Sequence, residues 1–143
     1  MIIELVIASR STKVDMEILK DLKILVVDDN EVNQRLAILI FRKMGFKCDV
    51  SSDGKEAFEM YQKKAYDLIL MDLQMPVMGG IESTKLIRTF ENDSETLNRA
   101  TIIALTGSEL QENKEACIAA GMDDLIEKPI RVEKLNKFIS LLV

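Results

Sequence analysis

Histidine and tryptophan are both absent from this 143-residue chain, which carries only two cysteines, two prolines and six glycines. The missing imidazole removes every Ser–His or Cys–His nucleophile and every zinc site built on histidine. It also excludes the chain as the phosphohistidine-bearing member of a phosphate relay. Cys48 and Cys117 are too few for a four-thiolate zinc site, and reduced they read as small core hydrophobes. Five Phe and two Tyr leave few platforms on which bases could stack. Positive charge is not in excess either. Lys and Arg number 19 against 24 Asp and Glu, a net charge of −5, which argues against binding nucleic acid through its phosphates. No apolar run reaches the roughly 18 residues of a membrane span, so no membrane insertion is expected of this chain and a cytoplasmic setting is, even were a parent protein anchored. Chemistry must therefore rest on carboxylates, hydroxyls and amines.

What is present is alternation. With 48% hydrophobic residues, the length suits one domain with a sizeable core. Short apolar runs at residues 23–27, 48–51, 68–71, 101–105 and 125–126 alternate with helical patterns at 31–44, 55–64, 81–90, 110–120 and 132–142. This is the signature of βα units around a parallel sheet. The first, third and fourth runs are continuously apolar, as in strands covered on both faces. Leu135, Phe138, Ile139 and Leu142 form a single stripe at helical spacing. Gly45 and Gly121 stand where left-handed helix-ending glycines belong. An α/β sandwich of three layers is expected, with residues 91–98 (ENDSETLN) as a solvated loop. Residues 1–20 stand apart as an appendage or linker: an apolar, strand-like IIELVIA, a polar SRSTK, then a short helical stretch over 16–22. The domain proper spans 21–143.

In open parallel sheets, ligands bind beyond the carboxyl ends of the strands. The first strand ends in Asp28 and Asp29, the third in Asp72, the fourth in Thr106, and Lys128 follows the fifth. Crowded acids repel one another unless a cation or protons intervene. An all-oxygen site of carboxylates and water suits Mg²⁺, with Mn²⁺ as the other choice. Once the acids are screened, a phosphate group can approach, and the Thr106 hydroxyl and Lys128 ammonium would take its remaining oxygens. Each residue alone has an ordinary explanation; Asn30 or Asp29, for example, can cap the helix that follows. Their joint placement at the proper strand ends points to a phosphoryl group placed on a carboxylate.

These residues resemble the receiver domains of two-component response regulators, and most of all receivers attached to hybrid sensor histidine kinases. The resemblance is carried by KILVVDDNEVNQ (23–34), DLILMDLQMPVMGG (67–80), IIALTG (102–107) and GMDDLIEKPI (121–130), and it covers residues 21–143. It implies a flavodoxin-like, doubly wound five-stranded sheet of order 2-1-3-4-5 flanked by five helices. It implies Asp72 as phosphoacceptor, with Mg²⁺ held by Asp29, Asp72 and the Gln74 backbone carbonyl, and by Asp28 mainly through water. Thr106 and Lys128 would bind the phosphoryl group, and the Lys128–Pro129 bond would be cis. The implied partners are a histidine kinase or a histidine phosphotransfer protein, and the chain a monomer or weak dimer. Autodephosphorylation by water would end the signal.

Three positions depart from the family pattern. Leu125 stands where Tyr or Phe is usual, which removes the aromatic part of the switch. Gly79 replaces a frequent Asp, and Gly107 a frequent Ala. Gln74 and Ser108, two residues beyond the acceptor and the switch threonine, are positions that tune hydrolysis.

The first helix holds six apolar residues in a row, Leu36 to Phe41. Leu36, Ala37, Ile40, Phe41 and Met44 make one buried stripe. Ile38 and Leu39, flanked by Arg35 and Arg42, are then left outward, a patch suited to the helices of a histidine-bearing donor. The IIELVIA segment resembles the last strand of a kinase's ATP-binding domain, consistent with a receiver that follows one in a longer protein. Two other functions compete. A phosphatase of the haloacid dehalogenase type would use Asp28 as nucleophile, but it needs a second acid where Asn30 stands. A receiver reduced to docking would not need the full set of three acids, Thr106 and Lys128.

Overall fold

The computed structural model describes residues 21–75, 77–94, 98–107 and 110–142, with backbone alone for 110–113. The expectations for residues 1–20 lie outside these. Five strands, β1 (Ile24–Val27), β2 (Cys48–Ser51), β3 (Leu68–Asp72), β4 (Thr101–Thr106) and β5 (Asp124–Glu127), alternate with five helices. These are α1 (Glu31–Lys43), α2 (Gly54–Lys63), α3 (Gly80–Asp93), α4 (Leu110–Ala120) and α5 (Val132–Leu142). The strands pair in parallel in the order β2-β1-β3-β4-β5. The expected architecture is thus the observed one.

Alternation along the strands splits the core in two, because successive side chains leave a strand on opposite faces. Ile24, Val26, Leu68, Leu70, Ile103 and Leu105 pack with Phe41 of α1 and with Leu135 and Ile139 of α5. On the other face Leu25, Val27, Ile69, Met71, Ile102 and Ala104 pack with Ala57 and Tyr61 of α2, Ile87 of α3 and Cys117 of α4. The continuously apolar runs follow from this two-sided burial. Both cysteines are free, Cys117 buried and Cys48 half-buried, and burial pushes the Cys48 thiol up to about 11 and raises the Cys117 thiol too, so neither is a reactive thiolate.

Local signals set the helix ends. Asn30 caps α1 by accepting from the Val32 and Asn33 amides, and Asp53 caps α2 by accepting from Glu56. Gly79 caps α3 without any side-chain bond. Gly45 and Gly121 have φ of +91° and +109°, the left-handed region that favours glycine, and the Lys128–Pro129 bond is cis.

Two expectations need correction. The segment 91–98 is not all loop: α3 continues to Asp93, and Glu91 is buried. Glu91 lies one turn beyond Ile87 on the core-facing side of α3. It is tolerated there because Tyr61 Oη, the Ala100 amide and Arg88 all donate to it, at 2.6, 2.7 and 2.7 Å. Leu36, expected in the buried stripe, is 38% exposed, whereas Ile38, expected outward, is half-buried. The buried arc of α1 centres on Ala37 and Phe41. At 3.6 residues per turn Leu36 falls about 120° from that centre and Ile38 about 80°, so Ile38 is the more covered of the two.

Candidate functional site

Topology brings the strand-end residues together. The chain leaves β1 toward β2 on one side and returns to β3 on the other, so a crevice opens where the order reverses. Val27 pairs with Met71, and the residues that follow them, Asp28 and Asp72, emerge side by side. Asp72 pairs with Leu105, which places Thr106 one step beyond it on β4. The Lys128 amide donates to the Thr106 carbonyl at 2.7 Å, bringing that lysine over the same edge. Asp28, Asp29, Asp72, Thr106, Lys128 and Gln74 all line one cleft of about 400 Å³.

Within the cleft, one carboxylate oxygen from each of Asp28, Asp29 and Asp72 lies within 4.8 Å of the other two. Asp28 is 1% exposed and Asp72 is also buried, while Asp29 is exposed. The Lys128 ammonium stands 3.3 Å from an oxygen of both Asp28 and Asp72 and bridges them. The Gln74 amide donates to Asp72 at 3.3 Å. Burial pushes the Asp72 carboxyl above the ordinary carboxylate range; the Lys128 ammonium draws it back, and the negative charge of Asp28 adds to the rise. The Thr106 hydroxyl is buried against this cleft and has no hydrogen-bond partner among the described residues. An unpaired buried hydroxyl is costly, and Thr106, unlike the similarly unpaired Thr84, lines the cleft, where its hydroxyl is free to donate to an acceptor.

The donor set fits a hard divalent cation. All the donors are oxygens, two carboxylates are shielded and one is open to water, as Mg²⁺ prefers. The excess of acid over the single lysine also leaves negative charge for a cation to neutralise.

The sequence reading missed the residues that hold Asp28. Its Oδ1 accepts from the Asn30 amide at 2.9 Å, and its Oδ2 accepts from Asn33 Nδ2 at 3.2 Å. Gln34 Nε2 donates to the Asp28 carbonyl at 2.7 Å. The signal was available: side chains in a helix's first turn lean back toward the loop before it, and that loop is Asp28-Asp29-Asn30. Leu125 is half-buried and packs into the core on the α2–α4 side of the sheet. On α1, Arg35, Leu39 and Arg42 are exposed as expected. The apolar residues that accompany them are Val32 and Leu36 rather than Ile38.

Comparison with known proteins gives the class. Residues 24–140 match the family described as response regulator receiver domain. Hybrid signal transduction histidine kinase F of Dictyostelium discoideum is 40% identical over 117 residues, which cover 82% of this chain but 11% of that protein. Among solved structures, one neighbour is the receiver domain of the Pseudomonas aeruginosa PAO1 sensor histidine kinase PA1611, solved with magnesium in its active-site cleft. It is 36% identical, with a TM-score of 0.74, and the match covers 85% of this chain and 96% of that one. Another is the receiver domain of Saccharomyces cerevisiae Ssk1 in complex with the histidine phosphotransfer protein Ypd1. It is 32% identical, with a TM-score of 0.76, over 85% of this chain and 88% of that one. The chain belongs to the response regulator receiver family and is a receiver domain of two-component signalling. Among the described residues, no helix is long and apolar enough to cross a membrane.

Proposed function

We propose that this receiver takes a phosphoryl group from a phosphohistidine onto Asp72 in a Mg²⁺-dependent reaction, as a module of a hybrid histidine kinase or its relay. The observation that carries this is Lys128 bridging Asp28 and Asp72 beside the unpaired Thr106 hydroxyl. Asp28, Asp29, Asp72 and the Gln74 backbone carbonyl would hold the cation. Bound there, Mg²⁺ or Mn²⁺ would neutralise charge on the transferring phosphoryl group.

The protein's own groups do the rest. A carboxylate oxygen of Asp72 attacks phosphorus, the O–P bond forms as the donor's N–P bond breaks, and the freed imidazole departs with the donor. Lys128 exchanges a carboxylate oxygen for a phosphoryl oxygen, and the Thr106 hydroxyl gains its missing acceptor. Hydrolysis of the acyl phosphate by water returns Asp72 to its starting state. The phosphatase reading is disfavoured because both oxygens of Asp28 are already engaged and the residue is 1% exposed.

The donor would dock on α1. Val32, Leu36 and Leu39 form an exposed apolar line at i, i+4 and i+7 on α1, with exposed Arg35 and Arg42 on the same helix and Ile38 half-buried. The neighbour solved with a phosphotransfer protein supports a partner of that kind. Leu39→Asp should slow transfer from a phosphohistidine protein about tenfold or more while leaving phosphorylation by acetyl phosphate intact. Equal slowing with both donors would remove the docking role. The central test is intact-mass analysis after incubation with acetyl phosphate and Mg²⁺. One added phosphoryl group, lost in Asp72→Asn, is expected; an adduct that survives in Asp72→Asn moves the nucleophile elsewhere, and no adduct leaves a docking module.

A further inference from the structure

Asp28 is the most buried of the three acids, and what fixes it is a pair of consecutive amides in the first turn of α1. Asn33 Nδ2 donates to its Oδ2 at 3.2 Å, and Gln34 Nε2 donates to its backbone carbonyl at 2.7 Å and to Ser52 Oγ at 3.4 Å. The carboxylate can only accept, so it is the NH₂ side of the Asn33 amide that must face it. One further bond completes the set, from the Asn30 amide to Oδ1. Lys128 shares Oδ2 with Asn33. If the lysine leaves to meet a phosphoryl oxygen, Asn33 becomes, among the described residues, the one side-chain donor left on the Asp28 carboxylate. Asn33 then holds Oδ2 while the Asn30 amide holds Oδ1, so each oxygen keeps a fixed donor in the cleft that Asp28 and Asn33 both line.

We propose that Asn33, backed by Gln34, is a positioning residue that presets the Asp28 carboxylate for a divalent cation and thereby sets the site's metal affinity. This rests on reading the cleft as a Mg²⁺-dependent phosphoacceptor site. Groups that orient a metal-facing ligand change affinity by about ten- to a hundredfold when removed. Asn33 is itself half-exposed on the rim of the cleft, so its role in holding the fold is small.

The test is Mg²⁺ titration of the unphosphorylated chain, followed by calorimetry or by amide NMR shifts, on wild type, Asn33→Leu and Asn33→Gln. Urea unfolding in EDTA runs alongside. Leucine keeps the volume and removes the donor; glutamine keeps an amide donor on a longer stem. The expected result is a Mg²⁺ dissociation constant about tenfold or more weaker in Asn33→Leu, largely restored in Asn33→Gln, with the metal-free unfolding midpoint unchanged. Unchanged Mg²⁺ affinity in Asn33→Leu overturns the proposal. So does weakened binding matched by a lower midpoint in EDTA, which assigns Asn33 to the fold. Absence of Mg²⁺ binding in the wild type is a different failure: it removes the reading of the cleft and this inference with it.

Discussion

Replacing Asp72 by Asn should stabilise the metal-free protein even as it abolishes phosphorylation. The magnitude follows from the charges around it. At an effective dielectric of about 20, Asp28 within 4.8 Å repels Asp72 by at least ~3.5 kcal/mol, and the exposed Asp29 adds ~1 kcal/mol in a water-like medium. Lys128 at 3.3 Å returns ~5 kcal/mol. Attraction and repulsion therefore nearly cancel. Dehydration decides the balance, because a carboxylate whose side chain is 9% exposed pays several kcal/mol to shed water. Dehydration therefore leaves charged Asp72 with a net penalty on the order of 2 kcal/mol; the raised pKa of its carboxyl has the same direction.

The assay is urea unfolding followed by circular dichroism in EDTA. With a slope of 1–3 kcal/mol per molar urea, the Asp72→Asn midpoint should rise by about 1 M. Added Mg²⁺ should then stabilise the wild type more than the variant and narrow the gap, since only a ligand that binds the native state raises its stability. An Asp72→Asn midpoint equal to or below the wild type in EDTA would refute the reasoning. It would mean that the lysine alone more than offsets burial.

Three further outcomes are expected. Arg88→Met should cost about 3–5 kcal/mol in urea unfolding, because the 12% exposed guanidinium donates to Glu91, Asp123, Gly121 and Ala100 and its loss strands a buried Glu91 charge; a loss under 1 kcal/mol would show the network to be replaceable. Val77 holds φ at +71° although it is β-branched and exposed, so Val77→Gly should raise stability by about 1 kcal/mol, and a lower melting temperature would contradict this. Tyr61 and Tyr66 both have phenols raised above the usual range, by burial first and by bonds to Glu91 and Asp49 second. A raised folded-state pKa means stability present below about pH 10 and lost above it, by about 1.4 kcal/mol per pH unit for each tyrosine. Absorbance at 295 nm should report tyrosinate only as the fold is lost; a phenol titrating near pH 10 in the folded protein would count against the buried bonds.

Much of this was legible in the residues. Short apolar runs and period-3.6 hydrophobicity located ten elements, because a strand buried on both faces must be apolar throughout and a helix must show one apolar side. Residues 91–93 were misread for the same reason. Glu91 looks like solvent-facing sequence, and only Tyr61 on α2, thirty positions earlier, together with Arg88 and the Ala100 amide, makes its burial tolerable. Leu36 and Ile38 exchanged roles because a run of six apolar residues does not say where the sheet will lie.

At the cleft, the sequence by itself determined which acids, hydroxyl and amine stand at strand ends, since strand length and chain order are local properties. Only the tertiary structure decided how those ends act on one another. Strand register sets Asp28 beside Asp72, α1 folds back to bring Asn33 and Gln34 onto Asp28, and β5 delivers Lys128 between the two acids. Burial, ion pairing and the unpaired Thr106 hydroxyl are properties of distances between residues far apart in the chain, and those distances exist only once the sheet has closed them.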